Sequence, residues 1–209
     1  MSQLDLFSPP VDTDPEPQRF LLSGGEVVYY PGLFAAEAQQ WFSVLNETIE
    51  WRQDCIQLFG KSVPIPRENA WYGDPGRAYT YSGNPMTPLA WTPELQMIRQ
   101  RVEEKAGERY NSVLLNRYRH GQDSVDWHAD NEPELKPRQA IASVSLGASR
   151  KFRLKHRYDR ELPKLEFLLK AGDLLIMRGA TQENWLHQVP KTRQPVEPRI
   201  NLTFRVIHF

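Results

Sequence analysis

The alternation of apolar and polar positions divides the chain into a helical front part and an extended back part. From residue 34 to 49, apolar side chains recur at Phe34, Ala38, Trp41 or Phe42, Leu45 and Ile49, a spacing that predicts one buried helical face. Thr92 followed by Pro93 starts a second helix, with Leu95, Ile98 and Val102 inward and Gly107 as its stop. From residue 111 the texture changes to extended runs at 113–118, 125–130, 140–146, 151–157, 165–169, 173–178 and 200–207. They are short, broken by turn residues and free of helical crossovers, which predicts an antiparallel double-sheet β-fold. An earlier alternation, Val27 to Tyr30, is cut by Pro31-Gly32. The fold class is therefore mainly β with flanking helices (α+β), the helices lying outside a sheet.

Two segments stand apart. Residues 1–17 are polar and proline-rich, too poor in apolar side chains to pack, and read as a disordered tail preceding a domain over 18–209. Residues 52–91 form an irregular stretch rich in Pro, Gly and aromatics, of the kind that serves as a lid or binding loop. Its aromatics read either as a small local core or as stacking platforms.

Composition adds limits. With 40% hydrophobic and 11% aromatic residues the chain folds around a sizeable core. Cys55 is the only cysteine, which excludes an intrachain disulfide and a cysteine zinc cage. No apolar run is long enough to span a bilayer, and no basic start precedes one, so a cytoplasmic location is expected. The formal charge of zero conceals an asymmetry. Residues 1–17 hold four acids and no base, so the rest of the chain is net +4, which permits a polyanionic partner.

Candidate chemistry begins at His128-Ala129-Asp130. In a strand these two side chains share a face, and His187, 59 residues beyond His128, offers a second imidazole from the opposing sheet. Two histidines and one carboxylate form the facial triad of non-haem iron(II), with positions left open; polar strand ends without a metal are the plainer alternative. The C-terminal run shifts that balance. Arg199, Asn201, Thr203 and Arg205 share one face, which is either the solvated side of an edge strand or a pocket wall whose arginines hold a dicarboxylate. Asn116 and Tyr118, also on one face, would add neutral hydrogen bonds. An iron centre beside a dicarboxylate pocket implies 2-oxoglutarate.

Asn116-Arg117-Tyr118, His128-Ala129-Asp130, His187 and Arg199-x-Asn201-Leu202-Thr203-Phe204-Arg205 resemble, in order and spacing, the AlkB-like iron(II)/2-oxoglutarate dioxygenases. The resemblance covers roughly residues 20–207 by the same motif comparison. It includes Pro66-Arg67, Trp71-Tyr72-Gly73-Asp74 and Tyr79-Thr80-Tyr81-Ser82-Gly83, which are similar to the nucleotide-recognition lid of the DNA-repair branch. It implies a double-stranded β-helix (jelly roll, cupin-like) with its core over about 111–207, bearing that lid over about 52–91. His128, Asp130 and His187 would bind Fe(II). Arg199, helped by Tyr118, would pair with the distal carboxylate of 2-oxoglutarate, while Asn116, Asn201 and Arg205 complete the co-substrate pocket. The implied reaction takes O2, decarboxylates 2-oxoglutarate to succinate, hydroxylates the N-methyl group of 1-methyladenine or 3-methylcytosine in alkylated DNA, and releases formaldehyde.

Such a base must leave the stack to react. Tyr81, Tyr79 or Trp71 would stack on it, Glu132 would offset its positive charge, and Arg67 belongs to the same lid. Phe59 matches the intercalating finger of duplex-preferring relatives, with packing under the lid as the alternative. Arg150, Lys151, Arg153, Lys155 and Arg157 read as a phosphate-contacting strand or as a solvated face. In the tail, Gln3-Leu4-Asp5-Leu6-Phe7 resembles the Q-L-[SD]-L-F pentapeptide by which bacterial repair and replication proteins hold the sliding clamp, Leu6 and Phe7 filling an apolar pocket; the alternative is a segment docked on its own domain. An RNA demethylase and a non-catalytic metal-binding adaptor remain as rival functions.

Overall fold

A computed structural model describes residues 14–58, 60–76, 79–81 and 84–208; for Leu58, 79–81 and 84–86 it describes the backbone alone. In chain order the elements are β1 (Gln18–Leu22), β2 (Gly25–Tyr30), α1 (Ala35–Thr48), β3 (Cys55–Leu58), β4 (Lys61–Pro64), β5 (Glu68–Gly73), β6 (Tyr79–Tyr81), β7 (Asn84–Met86), α2 (Pro93–Ala106), β8 (Ser112–Tyr118), β9 (Val125–His128), β10 (Ile141–Gly147), β11 (Arg150–His156), β12 (Leu165–Leu169), β13 (Leu174–Gly179), α3 (Thr181–Asn184), β14 (Trp185–Val189) and β15 (Arg199–Arg205). A seven-stranded antiparallel sheet, ordered β1-β2-β13-β10-β15-β8-β5, faces a four-stranded sheet ordered β12-β11-β14-β9. This is the jelly-roll architecture, with the two helices outside the larger sheet as expected.

Both faces of the large sheet are buried, which is why its central strands read as nearly continuous apolar runs. Outward, Val28, Val113, Leu115, Val144, Ile176, Leu202 and Phe204 pack under Trp41 and Leu45 of α1 and Leu95, Ile98 and Val102 of α2. Inward, Ile141, Leu175 and Met177 meet Phe152, Leu154, Phe167 and Val189 of the small sheet. The ends of α2 follow its sequence signals: the Thr92 hydroxyl accepts from Leu95 N at 3.2 Å, and Gly107 closes the helix at φ 65°, a left-handed geometry that favours glycine. Gly172 is required for a second reason. At φ +84° it turns into β13 so close to α1 that an added Cβ would lie 2.5 Å from Ala35 N.

Several expectations are corrected. The stretch 52–91 is less irregular than its Pro and Gly content implied: it holds the β3–β4 and β6–β7 hairpins, and β5 joins β8 as the last strand of the large sheet. The run expected over 125–130 ends at His128, so Asp130 lies beyond the strand. β15 is no solvated edge strand; it lies between β10 and β8 with all seven residues buried. His187 does not come from the sheet opposite His128. The one-turn helix α3 carries the chain from β13 across to the small sheet, where His187 on β14 pairs directly with His128 on β9.

One buried cation staples the loops around the opening. Arg150 donates to the carbonyls of His120 (3.3 Å), Asp123 (2.9 Å) and Pro190 (2.7 Å), and lies over the Tyr118 ring. Arg150→Ala would orphan those carbonyls, and chemical denaturation is expected to show a loss of roughly 2 kcal/mol. An unchanged unfolding midpoint would contradict this role.

Candidate metal and co-substrate site

The site lies between the sheets, where the polar face of β15 meets the end of β9. Ligand atoms of His128, Asp130 and His187 all lie within 4.8 Å of one another. The two imidazole centroids are 4.2 Å apart, and His128 Nε2 is 3.8 Å from Asp130 Oδ1. His128 Nδ1 lies 2.8 Å from the Asp126 carbonyl, to which it donates, fixing the tautomer that leaves Nε2 as a lone-pair donor. Asp130 is placed from two sides. Its backbone N–H donates to Gln182 Oε1 (3.0 Å), and its carboxylate accepts from Arg205 at 2.7 Å.

The charge states suit a divalent cation. Burial is the strongest single influence and would raise the Asp130 pKa, but the opposing charges, led by the Arg205 guanidinium, together hold it at about 2. Burial, reinforced by His128, pushes the His187 pKa down to about 3, keeping that ring neutral. An ionised carboxylate with a neutral buried imidazole and an Nε2 donor is the nitrogen–oxygen set that iron(II) accepts, so the residues present fit the metal.

A polar ladder extends from this triad along β15 and its neighbours. Asn116 stands opposite Asn201 and Tyr118 opposite Arg199 in the β8–β15 register. Arg199 is 1% exposed, and one terminal nitrogen donates to Ser145 Oγ at 2.9 Å. Its Nε and its other terminal nitrogen are buried with no hydrogen-bond partner among the described residues. Burial draws its pKa down to about 10, with Tyr118 opposing that shift, so it stays cationic at neutral pH. Unmet donors on a buried cation are complementary to a carboxylate. Asn201 donates to Ser143 Oγ (2.8 Å) and the Val144 carbonyl (2.9 Å), and its Oδ1 accepts from Thr203 at 3.4 Å. It therefore braces the ladder at the inner chamber, which it lines together with Asn116, Tyr118, Thr203 and Arg205.

A model described as the 2OG-Fe(II) oxygenase superfamily matches residues 26–205, spanning the triad and the whole ladder. The chain belongs to this superfamily, in its AlkB-like branch. It is an Fe(II)/2-oxoglutarate-dependent dioxygenase. It is 40% identical over 201 residues to "DNA oxidative demethylase ALKBH2" of Mus musculus, covering 90% of this chain and 83% of that one. It is 39% identical over 191 residues to "Alpha-ketoglutarate-dependent dioxygenase alkB homolog 3" of Homo sapiens, covering 87% of this chain and 66% of that one. To ALKBH2 of Arabidopsis thaliana the identity is 35%, over 96% of this chain and 72% of the relative. Among solved structures, OsALKBH1 superposes with a TM-score of 0.57 at 16% identity, over 89% of this chain and 99% of that one, a likeness of fold alone.

The oxygenase opens to solvent through a vestibule of about 680 Å³ lined by Ile56, Arg67, Trp127, His128, Glu132 and Lys191. Arg67 is buried at its inner end, donating to Asn116 Oδ1 at 2.8 Å and to the Ser124 carbonyl at 3.3 Å, so it ties the segment before β5 to β8 and to the turn before β9. Glu132 lines both the vestibule and the inner chamber, and its Oε2 is buried with no hydrogen-bond partner among the described residues. Trp71 is 5% exposed and packs with Leu114, Leu135 and Ile207; Leu114 in turn lines the chamber. The side chains of Tyr79 and Tyr81 lie outside the described residues, as do Phe59 and Gln3, Leu4, Asp5, Leu6 and Phe7.

The basic strand is partly committed. Arg150 is buried, Lys151 and Arg153 both pair with Glu166 at 2.6 Å, and Lys155 covers Trp127. Sequence reasoning missed three supporting residues. Ser143 and Ser145 alternate on β10 and could have been found from the polar face they share with β15. Gln182 gave no signal, because its role depends on where α3 crosses between the sheets.

Proposed function

We propose that this dioxygenase demethylates N-alkylated bases of the 1-methyladenine and 3-methylcytosine type in DNA. The observation that carries the reading is Glu132, a carboxylate with one oxygen buried and unmet, at the junction between a wide vestibule and the triad. Ring-alkylated adenine and cytosine are cationic, and a flipped base of that charge is the complement of this carboxylate. The relatives in mouse and Arabidopsis, named DNA oxidative demethylases, point the same way.

When bound, iron(II) supplies the oxygen activation that couples 2-oxoglutarate decarboxylation to oxidation of the alkyl group. The chain supplies placement. Arg199 pairs with the distal carboxylate, Asn116 and Arg205 hold the end nearer the metal, and the buried ladder keeps water from that face. Glu132 keeps the cationic base in place, Trp71 backs the chamber wall through Leu114, and Tyr79 or Tyr81 is the stacking ring of this reading. The hydroxymethyl product is a hemiaminal, which divides into the free base and formaldehyde without help from the protein.

The test is incubation with iron(II), 2-oxoglutarate, ascorbate and an oligonucleotide carrying 3-methylcytosine, following succinate and formaldehyde together. Metal-loaded protein yielding neither would leave the adaptor reading in possession. Faster release from a matched RNA would move the substrate to RNA. Glu132→Gln is expected to raise KM for a cationic lesion about tenfold, the worth of roughly 1.4 kcal/mol, and to leave a neutral alkylated base unaffected. Equal effects on both would remove the charge argument.

The domain at 18–209 is the catalytic unit in this reading, and the tail is a tether in the cytoplasm, with Gln3, Leu4, Asp5, Leu6 and Phe7 seated on a bacterial sliding clamp. The motif and its flexible composition support it. Deleting residues 1–7 is expected to weaken clamp pull-down and to leave repair of short oligonucleotides unchanged; undiminished pull-down would refute the tether.

A further inference from the structure

The strands that hold the metal ligands have a second, outer face. Strand side chains alternate, so the residue before His128 and the residue after Leu154, which pairs with His187, turn away from the site. These are Trp127 and Lys155, and Lys155 Nζ lies 4.4 Å from the centroid of the Trp127 ring. Both helices longer than one turn pack on the large sheet, so neither covers this face of the small one. Lys151 and Arg153 continue the face along β11 and share one counter-ion, Glu166, which leaves three cations against one carboxylate. The face is continuous with the vestibule, because Trp127, Gln188 and Lys191 also line the opening. β9 is the outermost strand of its sheet, so passing from the triad to this face means rounding a single strand edge.

Resting on the nucleic-acid reading above, we propose that Trp127, backed by Lys155, is a stacking platform for the nucleotide next to the flipped base, and that the outer face of the small sheet is the track for single-stranded DNA leaving the vestibule. An aromatic ring beside a row of cations is the general device for holding a strand whose bases are free to stack. In a duplex the neighbouring base is already stacked and paired, so the platform favours single strands. Lys155 serves twice, capping one face of the indole and meeting a phosphate.

Fluorescence anisotropy with an end-labelled single-stranded oligonucleotide carrying one 3-methylcytosine, and with the matched duplex, tests this on the full chain. Trp127→Ala is expected to weaken single-strand binding about tenfold and duplex binding less than about twofold, with Trp127→Phe close to the parent. Lys155→Ala is expected to weaken it as well and to reduce the slope of log affinity against log salt by about 0.7. Cobalt(II) binding, read from its visible spectrum, checks that Trp127→Ala leaves the neighbouring His128 in place; Lys155→Ala, on the outer face and not adjacent in sequence to a ligand, decides the matter if it does not. Unchanged single-strand affinity in Lys155→Ala, or an equal loss on duplex, would overturn the platform. The two readings fail separately. A parent protein that neither binds methylated DNA nor releases formaldehyde from it removes the function, whereas a parent that does both, matched by its variants, removes only the platform.

Discussion

Replacing His187 with alanine is expected to abolish succinate release and retention of a divalent metal, while the protein stays folded. As ligands, the three side chains would supply three donors, leaving room for co-substrate and oxygen. Losing one leaves His128, whose side chain is 37% exposed, and a carboxylate already paired with Arg205. The loss should therefore exceed the about 10–100-fold that removal of an outer-shell partner costs. Survival of the fold follows from the same ion pair. Asp130 is balanced by Arg205 without any metal, so the apo-protein carries no isolated buried charge at this point. Titration with iron(II) or cobalt(II), together with a thermal melt, separates the outcomes. Metal affinity within tenfold of the parent would sink the assignment of His187 as a ligand, and a protein unfolded at room temperature would show its role to be structural.

Why so much of this was legible in the sequence has a physical answer. Residues whose partners are set by period two, such as Asn116 with Tyr118 or Arg199 with Asn201, keep their relation in any strand, so a shared face is read directly from the chain. The two helices were legible because their caps are local: Thr92, Pro93 and Gly107 act through their own backbone. What failed was long-range. Whether β15 lies at an edge or in the centre depends on which strands flank it, and no property of Arg199 to Arg205 encodes β8 and β10. His128 and Asp130 were expected to converge by strand alternation, yet the strand stops first. They converge because Gln182 and Arg205, distant in sequence, hold Asp130 by its backbone and its carboxylate. Pro and Gly made 52–91 read as a loop, but β5 needed only six residues to find β8. The site was thus visible as a set of residues before it was visible as a geometry.

Arg199→Met is expected to lower 2-oxoglutarate affinity by about 10²–10³-fold and to leave the apo-protein as stable as the parent or more so. The two effects have one cause. A guanidinium 1% exposed, with two nitrogens unmet, carries a desolvation cost that its bond to Ser145 and its contact with Tyr118 only partly offset. The nearby Asp173 carboxylate gives little relief, since it already accepts from the Tyr29 hydroxyl and the Gly32 N–H, each at 2.7 Å. A ligand carboxylate would supply the acceptor this cation lacks, so part of the penalty built into the folded chain would become binding energy for the co-substrate. Methionine fills a similar volume against Tyr118 without the charge, removing the penalty and the binding energy together. Calorimetry with 2-oxoglutarate and melting curves with and without it measure the two halves independently. Arg199→Lys sharpens the argument: it restores charge but not the paired, planar donors, and should recover only a fraction of the affinity. Full recovery would mean that charge alone holds the co-substrate, and unchanged affinity in Arg199→Met would mean that its distal carboxylate is bound elsewhere.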